Sequence, residues 1–139
     1  MGGQPPSLIS KLNVSADATT QLYSTQHLIS DDCECEDCKF YVSKVLRYGF
    51  SIHAELSSAG VDVAKNLDSE PTGVWCVRDD GGKLLYTAHA YHIVGRLYDS
   101  QAEVGYQASE QGYNLDVYLQ QIDDQTVRID VTIRREKET

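Results

Sequence analysis

Cys33, Cys35 and Cys38 fall within six residues, set among five carboxylates: Asp31, Asp32, Glu34, Glu36 and Asp37. Thiols at this spacing can converge on one cation, and zinc takes four tetrahedral ligands of thiolate or imidazole type. Cys76 is the preferred fourth ligand, because it would tie the first half of the chain to the second. His27, His53, His89 and His92 are the alternatives. The acids bear directly on this chemistry. Negative charge nearby disfavours a bare thiolate and lifts the thiol above its usual pKa of ~8.5, whereas a divalent ion offsets the whole cluster.

C-x-C-x-x-C is less specific than two separated C-x-x-C knuckles, so two other readings stand beside the zinc site. In one, Cys38 is a core residue, while Cys33 and Cys35 are unliganded thiols in an acidic loop of an interaction module. In the other, Cys35 and Cys38 form a redox pair at a helix start. The neighbouring carboxylates oppose that thiolate, and no thioredoxin-like βαβ pattern follows it. An iron–sulfur cluster calls for other spacings.

Elsewhere the chemistry is sparse. His89 and His92 are three apart, which on a strand puts them on opposite faces. His92 shares parity with Leu84, Tyr86, Ala88, Ala90 and Val94, so it is expected on the core face, leaving His89, with Thr87 and Tyr91, for the surface. No nucleophile-plus-base grouping is legible, so no catalytic residue is assigned and an enzyme is not the expectation. Asp80-Gly81-Gly82-Lys83 lacks Walker spacing and reads as a hairpin turn. Six of the nine tyrosines lie between Tyr86 and Tyr118. Tyr106, in a polar stretch, is the one expected to contact a partner.

The elements that must hold these residues follow from patterning. A Gly/Pro/Gln/Ser tail over residues 1–7, expected to be disordered, precedes a single domain, 8–139. Residues 8–29 permit a short helix or strand. Asp37–Tyr48 reads as a helix with acids at its positive end and Cys38, Tyr41, Val42, Val45 and Leu46 on one stripe. Ser51–Ala59 reads as a second helix, capped by Ser51 and closed at Gly60 and Val61. Val74–Arg78 and Lys83–Tyr98 read as strands, the second bent or bulged near Gly95, and residues 99–112 as a polar loop.

The strongest pattern is last. Leu115, Val117 and Leu119 alternate with polar residues, as do Val127, Ile129, Val131 and Ile133. Opposing Leu119 to Ile129, Val117 to Val131 and Leu115 to Ile133 puts all six on one face, and a one-residue slip would bury Asp130 instead. The fold class is therefore α+β, with N-terminal helices on a C-terminal antiparallel sheet of about four strands.

The 139 residues carry a net charge of −9. That sign repels phosphate backbones and anionic lipid, so nucleic-acid and membrane-surface roles are disfavoured, and a protein or small-molecule ligand is the expected partner. No run approaches the ~18 apolar residues of a membrane span, and MGGQPPSLIS is unlike a secretory signal. The expected location is cytoplasmic, where thiols stay reduced.

The stretch from Cys33 to Lys65 resembles a group of small uncharacterised bacterial proteins. The resemblance rests on Cys33, Cys35, Cys38, Phe40, Tyr41, Gly60, Val61, Asp62 and Lys65, about a quarter of the chain. Those proteins often carry Asn where this chain has Phe40, and the resemblance implies no activity.

Overall fold

The computed structural model describes residues 7–26, 36–65 and 75–136. The tail expected over 1–7 lies, apart from Ser7, outside the described residues. The last two strands, β5 (Tyr113–Asp123) and β6 (Thr126–Arg135), pair antiparallel in the register that burial selects: Leu115 opposes Ile133, Val117 opposes Val131 and Leu119 opposes Ile129. All six are buried. A register shift between Gln121 and Asp123 leaves Asp124 and Gln125 in the turn.

Around this hairpin the sheet is larger than the four strands expected. Among the described residues it has six, all antiparallel. They are β1 (Leu12–Val14), β2 (Trp75–Arg78), β3 (Leu84–Leu97), β4 (Glu103–Glu110), β5 and β6. The order is β1-β3-β6-β5-β4, with β2 also on β3. β4 occupies the stretch read as a polar loop. Its alternation is between half-buried and exposed rather than between apolar and polar, and Val104, Tyr106 and Ala108 supply its inner face.

The 14-residue strand β3 organises the rest. One side pairs with β6 from Tyr86 to Val94. The other side meets β2 over Leu84–Ala88 and β1 over Gly95–Leu97. Between them the edge is covered by α1 (Ala16–Ser24). The Tyr23 hydroxyl donates to the His92 carbonyl at 3.1 Å and accepts from the His92 N–H at 3.0 Å. Thr19 Oγ1 accepts from the Val94 N–H at 3.0 Å, and the Val94 carbonyl accepts from Ser15 N–H at 2.8 Å. Thr19 and Tyr23 are four apart, on one face of the helix, and both are buried. An open strand edge is thus satisfied by side chains from a helix.

The helix expected over 37–48 is shorter: α2 spans Glu36–Ser43, and a single 3-10 turn follows at Val45–Arg47. Cys38, Tyr41 and Val45 are buried, with Val42 and Leu46 packed partly against them. The next helix, α3 (Ser51–Ser58), begins and ends nearly as read, but Ser51 is not its cap. Phe50 holds that position. The Ser51 N–H and hydroxyl instead donate to Glu110 Oε1, at 2.6 and 3.1 Å. A carboxylate from β4 therefore replaces a local cap.

Gly60 ends α3 at φ +95°, and the Val61 N–H returns to the Leu56 carbonyl at 3.0 Å. A Cβ on Gly60 would lie 2.3 Å from the carbonyl oxygen of Ala16 at the start of α1. Gly60→Ala is expected to cost about 2 kcal/mol or more, from a left-handed backbone and a contact with another helix. Urea denaturation of the variant against the parent measures it. A loss within about 0.5 kcal/mol would show that the contact is soft.

Candidate functional site

The candidate site lies where α2 meets β2 and β3. Asp37, at the α2 start, is not simply solvated. Asp37 Oδ1 pairs with Arg78 Nη2 at 3.2 Å, and its Oδ2 accepts from the Cys76 N–H at 3.4 Å. Arg78 Nη1 also donates to the Glu36 carbonyl at 3.4 Å, and the guanidinium lies 4.8 Å from the Phe40 ring centre. One ion pair with its hydrogen bonds thus ties α2 to β2 at the residue before Cys38 and at Cys76 itself.

Both of these cysteines are buried, at 5% and 6% exposure. Cys76 opposes Thr87 across the β2–β3 ladder, with Sγ 3.3 Å from Thr87 Oγ1. Cys33, Cys35 and His27 lie outside the described residues. Among the described residues no group of three or more His, Cys, Asp or Glu side chains converges as a metal site would require.

What the sequence reading missed is a buried polar cluster beside these thiols. Tyr41 from α2, His53 from α3 and His89 and Tyr91 from β3 meet in the core. The Tyr41 hydroxyl lies 3.2 Å from His53 Nε2 and hydrogen-bonds the Tyr91 hydroxyl, which donates to the Val63 carbonyl at 3.3 Å. The His89 ring packs edge-on against Tyr91 at 4.4 Å and against Tyr41 at 5.2 Å.

Burial pushes both phenols far above the usual tyrosine range, so each keeps its single proton. Proton counting then assigns the rest. If Tyr91 donates to Val63, Tyr41 must donate to Tyr91, and His53 Nε2–H must donate to Tyr41. His53 Nδ1 is left as a lone pair, with no hydrogen-bond partner among the described residues.

The two histidine faces are the reverse of the sequence reading. Thr87, His89, Tyr91 and Ile93 point inward, and His92 is half-buried on the other face. The cause is an irregularity in the β2–β3 ladder: Val77 opposes Tyr86, but Arg78 opposes Leu84. That extra residue in β3 changes the parity after Leu84, so counting from Leu84 puts every later residue on the wrong side. Tyr106 likewise lies on β4 rather than in a loop, and its hydroxyl is buried. The missed signal was the Thr87-x-His89-x-Tyr91-x-Ile93 alternation, read as a surface face because two of its members are polar.

Comparison with protein-family models, curated proteins and solved structures finds no match to this chain.

Burial lowers His53 from 6.5 to about 4; burial, helped by the proximity of His53, lowers His89 to about 3. Both rings are therefore neutral when folded, and the unfolded chain takes up their protons first on acidification. Their contribution is complete above pH ~6.5 and is lost progressively as the pH falls toward 4 and then 3. Between pH 7.5 and 5, unfolding free energy from urea titration is expected to fall by on the order of 2 kcal/mol for each histidine. A flat profile over that interval would show that the rings are not buried as neutral bases.

Proposed function

We propose that the chain is a small cytoplasmic binding or interaction domain. Its helical layer is fixed to the sheet at the α2–β2 junction by zinc held through Cys33, Cys35, Cys38 and Cys76. The observation that carries this reading is the burial of Cys38 and Cys76 on two elements already joined by Asp37 and Arg78. Buried thiols otherwise stay protonated, and a cation is what would let those at such a junction ionise. The partner is a protein or a small molecule rather than nucleic acid or an anionic membrane, in keeping with the net charge of −9.

Burial also weighs against the redox alternative. A reactive thiol has to be reached by its substrate, and Cys38 is 5% exposed. The reading with inert cysteines is separated from the metal site by Cys33 and Cys35. Protein purified without chelators is expected to carry about one zinc per chain by elemental analysis, as a four-ligand structural site holds one ion. Cys33→Ser and Cys35→Ser are each expected to lower the melting temperature by about 5 °C or more. Metal-free native protein, with both variants melting like the parent, would leave an interaction module with unliganded thiols.

A further inference from the structure

A cleft of about 510 Å³ opens between the N-terminal segment and α3, lined by neither Cys38 nor Cys76. Leu8, Leu12, Val14, Ala54 and Ala59 give it apolar walls, and Glu55 contributes the one full charge among the described residues that line it. Its size is that of an ordinary small-molecule site, and its character, apolar with one placed polar group, is too.

Glu55 is in an unusual position for a carboxylate. It is half-buried, and Oε1 accepts from the Leu8 N–H at 3.0 Å. Burial raises its pKa, the Leu8 hydrogen bond opposes that rise, and the charge of Glu110 adds to it. Among the described residues no lysine or arginine forms an ion pair with it. Glu110, the neighbouring acid, is engaged with Ser51. Within electrostatic reach lies Tyr106, whose buried hydroxyl has no hydrogen-bond partner among the described residues. A partly dehydrated carboxylate without an ion-pair partner among the described residues thus lines an apolar cleft, with the Tyr106 phenol within its electrostatic reach.

We propose that this cleft binds an apolar amine in its ammonium form, with the tail against Leu8, Leu12 and Ala59 and the charged head at Glu55. An ammonium supplies what Glu55 lacks, and the negative field of the whole chain favours the same sign of ligand. A neutral alcohol of the same length fills the walls equally well but leaves the carboxylate without its counter-charge. The inference rests on the binding-domain reading and needs no zinc.

The test uses the full chain, with 1-octylammonium and 1-octanol as probes, followed by amide chemical shifts at Leu8, Ala54 and Ala59. The ammonium is expected to bind at least about tenfold more tightly, a difference set by one charge-assisted hydrogen bond. Glu55→Gln keeps an oxygen for the Leu8 N–H and is expected to bring both probes to the same affinity. Ala54→Leu, at an exposed position on the cleft wall, is expected to weaken both. Equal affinity of the two probes for the parent, no binding of either, or shifts centred elsewhere would overturn the proposal. Zinc content measured on the same sample keeps the two readings apart. Metal-free protein that binds the ammonium removes only the zinc site, and zinc-bearing protein that ignores it removes only the amine site.

Discussion

The hydrogen-bonding edge of β3 that faces away from β6 is the constraint on which the architecture depends. A strand of 14 residues presents backbone groups that must all find partners. Three unrelated pieces of chain supply them here, with β2 at one end, β1 at the other, and the side chains of Thr19 and Tyr23 in between. Because α1 is held to that edge, its first residue sits against Gly60, and the end of α3 is fixed in turn. Gly95 has the same role at the far end, where any Cβ would lie 2.3 Å from the Asn13 carbonyl oxygen of β1. Two glycines and two side-chain hydroxyls thus set where the helices lie on the sheet.

The buried polar cluster follows from that placement. Once α2 and α3 pack over the inner face of β3, the residues that meet there are Tyr41, His53, His89 and Tyr91 rather than an all-apolar set. Such a network is specifying because only one arrangement pairs the protons of Tyr41, His53 and Tyr91, and its cost is a His53 Nδ1 without a hydrogen-bond partner among the described residues. The aromatic bracket of Tyr48, Phe50 and Tyr113 adds rigidity nearby. Tyr48 stacks on Phe50 at 5.5 Å, and the Tyr113 hydroxyl donates to the Leu84 carbonyl at 2.6 Å. The Asp37–Arg78 pair then holds α2 on β2, where Cys38 and Cys76 turn inward.

How much of this was legible varies by element, for physical reasons. The β5–β6 register could be read because six strongly apolar residues alternate without interruption, and any slip buries a charge. α3 could be read from its closing glycine, but its cap could not, because Glu110 is 59 residues away in the chain. β1, at three residues, is too short to show a period, and β4 hides its own behind glutamate, glutamine and glycine. The histidine faces were inverted by one extra residue at Leu84–Tyr86, a local irregularity that composition does not reveal. Of the four cysteines proposed as ligands, Cys38 on α2 and Cys76 on β2 are placed, both buried.

The pairing of β1 with the end of β3 has a consequence for synthesis on the ribosome. Leu12 finds its partner at Leu97, and β3 is itself flanked by β6, which ends at Arg135. The helices therefore leave the exit tunnel long before the surface they cover exists, and their apolar stripes must wait until β6 has been made. Such a domain cannot complete its core until its last strand has emerged, which makes the nascent helical segments natural clients for chaperones.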